Sequence, residues 1–132
     1  MIIKAGTILI KDNQVGLVYR DYYNDYTFPK GHLEKGESIL ECAIRETEEE
    51  TKVSVTLLKN DPIYVEDYID SKGNKCECTY YLVKYNGKSD NESLEVHELI
   101  WVNFDEVYNK LTYLSSKELW NNIKNEVSKY IV

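Results

Sequence analysis

Hydrophobic positions change period several times along this chain, and the changes divide it into elements. Residues 2–10 are apolar or small around Lys4, which predicts a strand buried on at least one face. Gly6 inside it suggests a close approach of backbone or ligand. The polar turn Lys11-Asp12-Asn13-Gln14 is followed by an apolar run from Val15 to Tyr19, which predicts an antiparallel return. Val53 to Leu58 alternates as a half-buried strand. Ile63–Ile69 and Lys75–Tyr85 flank the turn residues 70–74 and predict a hairpin. In its second arm Thr79, Tyr81, Val83 and Tyr85 share one face, and Cys78, Tyr80, Leu82 and Lys84 the other. A further strand holds Trp101 and Val102.

The period becomes helical in three places. Ser38 to Thr51 contains no Gly or Pro, and Ser38 with Glu41 forms a capping box, so one helix of about four turns is predicted. Residues 104–113 predict a short helix with Asp105 near its start. Ser115 with Glu118 predicts a capping box for a last helix, on which Leu119, Ile123 and Val127 form a core stripe beside Trp120. Strands mixed with helices, without linker or repeat, imply a single α/β domain over residues 1–132.

The 38–51 helix carries more negative charge than packing requires. At about 100° per residue, Ile39, Leu40, Ala43, Ile44, Thr47 and Thr51 fall on one side and suit a sheet. Glu46, Glu49 and Glu50 share a neighbouring strip, while Glu41 and Glu48 point elsewhere. Glu46 and Glu50 are like charges at i,i+4, crowded toward the helix end where the macrodipole disfavours them. Only Arg45 and Lys52 lie close by in sequence. A solvated face is the ordinary explanation of such a run. A hard divalent cation is the functional one, because Mg²⁺ is held by oxygen ligands.

Spacing favours the second explanation. Gly31, Glu37, Arg45-Glu46 and Glu49-Glu50 stand in the order G-x5-E-x7-R-E-x-x-E-E. This resembles the Nudix box of MutT-like Nudix hydrolases. The resemblance implies an α/β/α sandwich with a mixed curved sheet and the box as a loop–helix–loop. It implies Glu46, Glu49 and Glu50 as metal carboxylates, with Glu37 and Arg45 holding them in place. It further implies a distal glutamate before a Trp-Val strand, as metal ligand or general base. Glu95 is that choice, with Glu92 and Glu98 as alternatives. Two positions depart from the pattern. Thr47 stands where an apolar residue is usual, and Lys52 where a glycine is usual. A lysine adopts positive φ only at a cost of about 1 kcal/mol.

Phe28-Pro29-Lys30-Gly31-His32 leads into the box and resembles the subgroup acting on diadenosine polyphosphates. Lys30, Gly31, His32 and Arg20 are the substrate-binding candidates there, Lys30 as a point charge toward phosphate. Tyr80 lies where polyphosphate-hydrolysing relatives often stack an adenine; a core tyrosine is the alternative. Residues 21–25 read as a polar loop, either surface or cleft rim with Tyr22, Tyr23 or Tyr26. His97 reads as a loop or strand-edge residue.

The net charge of −7 disfavours nonspecific nucleic-acid or anionic-membrane binding, but not a phosphorylated small molecule served by bound metal. Cys42, Cys76 and Cys78 read as reduced thiols, since the last two are poorly placed to bridge each other. The start, MIIKAGTILI, lacks a signal-peptide layout, so a cytoplasmic location is expected. The reaction implied by the resemblance is hydrolysis of a nucleoside diphosphate linked to another moiety, with Mg²⁺ or, in its place, Mn²⁺. Dinucleoside polyphosphates and nucleoside triphosphates lead the substrate classes. Pool sanitising of modified nucleotides, RNA 5′-end hydrolysis and an inactive ligand sensor are the alternatives. A homodimer is left open.

Overall fold

The computed structural model describes residues 1–93 and 97–132. Its centre is a parallel pair, β1 (Ile2–Lys11) and β7 (Lys75–Lys88), in register from Ile2 opposite Cys76 to Ile10 opposite Lys84. The neighbouring pairings are antiparallel, so the sheet is mixed. A parallel pair needs a long crossover. Here the crossover carries β2 (Gln14–Arg20), β3 (Asp25–Thr27), β4 (Lys30–His32), α1 (Ile39–Thr51), β5 (Val53–Leu57) and β6 (Tyr64–Ile69). After β7 come β8 (Glu98–Asn103), a 3₁₀ turn at Phe104–Glu106, α2 (Val107–Lys110) and α3 (Leu114–Val127).

The sheet is split where the site lies. β1 and β2 pair only near their turn, from Leu9 opposite Gly16 to Lys11 opposite Gln14. Beyond it, β3 takes the edge of β2 and β4 takes the edge of β1. Thr7 N–H donates to the Pro29 carbonyl at 3.1 Å. Gly6 permits this, because a Cβ there would overlap the same carbonyl oxygen and the Cβ of Lys30. The close approach expected at Gly6 is therefore met by the chain's own backbone.

Alternation along β1 and β7 feeds two cores. Ile8, Ile10, Tyr80 and Leu82 face Leu119, Trp120, Ile123 and Val127 of α3. Ala5, Leu9, Tyr81 and Val83 face Cys42 and Ala43 of α1. Trp120 is wedged between Phe28 and Phe104, with ring centroids 6.4 and 5.3 Å away. Helices on both faces of one sheet make the α/β/α sandwich expected from the sequence.

Three local readings need correction. Asp25, read as the end of the 21–25 loop, instead opens the short strand of residues 25–27, and residues 30–32 form another, because these segments inherit the free edges of β2 and β1. The buried face of α1 is turned toward Cys42, Glu46 and Glu50, while Ile39, Leu40 and Ile44 are only half-buried. The Ser115 capping box does not form. α3 starts one residue before Ser115, with Tyr113 as N-cap and no side-chain cap. Tyr113 is fixed there by its hydroxyl, which donates to Asp25 at 2.5 Å.

Candidate active site

α1 begins as its sequence requires. Ser38 Oγ accepts from Glu41 N–H, and Glu41 returns a carboxylate oxygen to Ser38 N–H. Gly36, at φ 80°, supplies the turn into the helix. Glu41 is thus a capping residue, and Glu48 accepts from Ser89 Oγ at 3.0 Å. Neither belongs to the strip of Glu46, Glu49 and Glu50, as helical geometry predicted.

Arg45 organises that strip. Its Nε donates to Glu37 at 2.5 Å and one terminal nitrogen to the other Glu37 oxygen at 3.0 Å, a bidentate fork. The same nitrogen donates to the His32 carbonyl at 2.9 Å, tying α1 to β4. The second terminal nitrogen serves Glu46 at 2.8 Å and Glu49 at 3.1 Å. The Arg45 fork holds the Glu37 carboxyl down at about 2. Arg45, hydrogen-bonded first to Glu37 and then to Glu46 and Glu49, stays charged. Burial pushes the neighbouring Cys42 thiol up to about 12, so it stays protonated.

Glu46 and Glu50 are buried, at 9% and 5% exposure, yet both reach the cleft. Glu46 lies against Gly31, where any Cβ would overlap its carboxylate. Glu50 accepts from the Lys30 backbone N–H at 2.8 Å, and His97 Nε2 lies 3.7 Å from its other oxygen. The helix thus presents carboxylates across β4 to a cleft of about 220 Å³. The same cleft is lined by the cations Lys4, Lys30 and Arg20, with His32 and His97. Burial, and then Lys4, lowers the His32 pKa, favouring neutral imidazole.

Arg20 is held by Asp25, whose side chain is fully buried. Nε and one terminal nitrogen meet its two oxygens at 2.8 and 2.6 Å. Burial alone would raise the Asp25 carboxyl, but the hydrogen bonds from Arg20 and Tyr113 outweigh it and hold it low. The Arg20 guanidinium also lies 4.5 Å from the Tyr23 ring centroid. Tyr22 and Tyr23 are exposed near this mouth, with Tyr22 6.1 Å from His97.

The donor set suits a hard divalent cation: Glu46, Glu49 and Glu50 offer only carboxylate oxygens, and Arg45 orients two of them without competing as a ligand. Among the described residues, Arg45 and the Lys30 N–H hold these oxygens, and no three acidic, His or Cys side chains already surround one point. Tyr80 must be removed from the substrate-binding set. It is 2% exposed in the α3-side core, edge-on to Phe28 at 6.0 Å, because its register opposite Gly6 turns it inward. Burial pushes its phenol well up. Glu95 lies outside the described residues; Glu92 and Glu98 are exposed. Lys4 was not among the sequence candidates, although a lone lysine in an apolar strand was its signal. Asp25 and Tyr113 gave none, being 88 residues apart.

Comparison with known proteins gives the class. Residues 3–122 match the NUDIX domain family. A Mycobacterium tuberculosis protein named as mutator protein MutT4 is 34% identical over 101 residues, covering 71% of this chain and 39% of its own length. An asymmetrical bis(5′-nucleosyl)-tetraphosphatase of Caenorhabditis elegans is 29% identical over 105 residues, covering 74% of this chain and 76% of its own. The chain therefore spans well under half of the first relative. A C. elegans Ap4A hydrolase structure superposes with TM-score 0.80 at 22% identity, over 98% of this chain and 99% of that one. A NUDIX hydrolase structure from Nitrosomonas europaea gives 0.79 at 20% identity, over 97% and 90%. The chain belongs to the NUDIX domain family. Hydrolases of this family use divalent metal ions. No helix among the described residues is long and apolar enough to cross a membrane.

Proposed function

We propose that this domain hydrolyses a pyrophosphate bond in a nucleoside diphosphate linked to another moiety, with a dinucleoside polyphosphate or a nucleoside triphosphate as substrate. The observation that carries the reading is one cleft lined both by the carboxylates Glu46 and Glu50 and by the cations Lys4, Lys30 and Arg20. A protein of net charge −7 has placed three cations beside its buried carboxylates. That arrangement suits a polyanion bound through both a cation and ammonium groups.

Glu46, Glu49 and Glu50 would hold Mg²⁺, with Mn²⁺ as substitute, and Glu95 is assigned as a further ligand. When bound, the cation supplies charge neutralisation on the phosphate oxygens. Arg45 keeps Glu46 and Glu49 aimed, and Glu37 keeps Arg45 in place. Gly31 leaves the space that Glu46 fills. Arg20, Lys30 and His32 line the path of the phosphates. Glu49 or Glu95 takes the proton from the attacking water. The net charge disfavours long nucleic acid as partner, and a cytoplasmic location with or without a homodimer fits the composition. The name of the C. elegans relative supports the dinucleoside polyphosphate class.

The test is a hydrolysis screen with and without Mg²⁺ over dinucleoside polyphosphates, modified triphosphates, nucleotide sugars, ADP-ribose and 5′-triphosphorylated RNA. Mg²⁺-dependent turnover of the first two groups is expected. Ligand binding without turnover of any compound would sink the enzyme reading and favour a sensor.

A further inference from the structure

Arg20 and Asp25 stand opposite each other across the β2–β3 hairpin. An opposite-charge pair at such a position is ordinarily solvated and contributes little. This one is different. The Asp25 side chain is fully buried, while that of Arg20 keeps 27% of its surface exposed. A second donor reaches Asp25 from 88 residues away, the Tyr113 hydroxyl. The residue before Tyr113 clamps the same strand. Thr112 Oγ1 accepts from Tyr26 N–H at 2.8 Å, and Thr112 N–H donates to the Tyr26 carbonyl at 3.2 Å. The α2–α3 connection is therefore bonded to β3 much as another strand would be, and it holds one carboxylate against one guanidinium.

Stability does not account for this arrangement. A buried ion pair is often no more stable than an apolar pair of the same volume, because desolvation offsets the attraction. What the pair fixes is the place of Arg20. Its Nε and one terminal nitrogen are taken up by the two Asp25 oxygens at 2.8 and 2.6 Å, and its guanidinium lies against the Tyr23 ring. Arg20 and Glu50 line the same cleft. Among the described residues Arg20 ion-pairs with Asp25, and Glu50 is the further carboxylate whose charge acts on it. A guanidinium seated on Glu50 would take the oxygens that a divalent cation needs. We propose that Asp25, itself held by Tyr113, is a positioning residue that keeps the Arg20 guanidinium off Glu50, so that Glu50 can serve a divalent cation while Arg20 stays aimed at substrate phosphate. The metal role proposed for Glu50 is taken over here, but the lock on Arg20 is tested by metal binding and not by turnover.

The probe is Mn²⁺, titrated into the full chain without substrate and followed by electron paramagnetic resonance. Asp25→Asn keeps the shape of the side chain but loses the charge that holds Arg20, and should weaken Mn²⁺ binding by about tenfold. Adding Arg20→Gln to Asp25→Asn removes the released cation and should restore affinity to within about threefold of wild type. Arg20→Lys keeps the charge but cannot form the fork, and it serves if Asp25→Asn fails to fold. It should bind Mn²⁺ about threefold more weakly than wild type, which carries the same charge. Wild-type affinity in Asp25→Asn or in Arg20→Lys would overturn the lock. A loss in Asp25→Asn that persists in the double variant would make Asp25 a purely structural residue and overturn it equally. With substrate present, saturating Mg²⁺ should return kcat of Asp25→Asn to within about twofold of wild type, while KM stays raised because Arg20 is no longer held toward the phosphates. Wild-type Mn²⁺ binding without turnover of any nucleotide, with the variant pattern intact, would sink hydrolysis alone. Turnover by the wild type, with no effect of Asp25→Asn on Mn²⁺, would sink the lock alone.

Discussion

Thr47 of α1 and Thr7 of β1 meet hydroxyl to hydroxyl at 2.7 Å in the fully buried contact between helix and sheet. Thr47 also donates to the Ala43 carbonyl at 2.8 Å. A hydroxyl has one proton, so Thr7 must be the donor to Thr47. This is how the chain accommodates threonine where the Nudix pattern usually has an apolar residue. The two positions should be coupled and asymmetric. Thr47→Val strands the buried Thr7 donor and should cost about 1–3 kcal/mol, whereas Thr7→Val leaves Thr47 bonded to Ala43 and should cost about 1 kcal/mol or less. The double variant should recover most of the Thr47→Val loss. Urea unfolding of the four proteins measures the coupling, and strict additivity would refute it.

Lys52 takes the left-handed conformation, φ 59°, that a glycine would adopt more cheaply. Its Nζ turns back to the Glu49 carbonyl at 2.7 Å and also meets the Ser93 carbonyl at 2.8 Å. Its own carbonyl accepts from Ser89 N–H at 3.0 Å. The lysine thus caps the end of α1 and ties residues 89–93 to it, offsetting the backbone cost. Lys52→Gly loses the ties but removes the strain, so it should stay within about 1 kcal/mol of wild type. Lys52→Met keeps the strain without the ties and should lose about 1–2 kcal/mol. Both should speed amide exchange over residues 89–93. Equal stability of the two variants would show that the side chain does not offset the strain.

The Glu37–Arg45 fork makes a pH prediction. The Glu37 carboxyl is lowered from 4.5 to about 2, so the folded state favours its ionised form. Its stabilisation is fully present above 4.5 and is lost as pH falls from there toward about 2. Glu37→Gln should lose about 1.5–3 kcal/mol at neutral pH, the range for a hydrogen bond to a charged group. The gap between variant and wild type should narrow only below pH 4.5. Urea unfolding at successive pH values reads this gap, and a constant gap down to pH 3 would contradict it.

What was legible in sequence was local or periodic. The capped helix at Ile39–Thr51, the opening hairpin and the Tyr64–Ile69 hairpin with Lys75–Lys88 follow from patterns whose cause lies within a few residues. The carboxylate strip was legible because helical geometry alone separates Glu46, Glu49 and Glu50 from Glu41 and Glu48. Long-range choices were not. Tyr80 is buried because parallel pairing sets it opposite Gly6, and no window around Tyr80 contains that register. Lys4 joins Lys30 only because β4 pairs with β1. Asp25 looked like a loop residue until Tyr113 and Arg20 closed around it.

Gly31 separates stability from function most cleanly. The nearest atoms a Cβ at Gly31 would overlap are those of the Glu46 carboxylate, the far end of a flexible side chain, and φ there is not in the left-handed region. Gly31→Ala can therefore be absorbed by swinging Glu46 aside, and its unfolding free energy should fall by no more than about 1 kcal/mol. The same swing removes Glu46 from Arg45 and from the position proposed for a metal ligand. Misplacing a catalytic group by about 1 Å can cost about 10²-fold, so kcat/KM should drop by at least that factor. Glu50→Gln, which leaves an isosteric amide beside Lys30 N–H, should cost as much or more with the fold equally intact. Steady-state kinetics on the best substrate of the screen, paired with thermal unfolding, tests both. Near-normal Mg²⁺-dependent turnover by either variant would remove its carboxylate from the catalytic set.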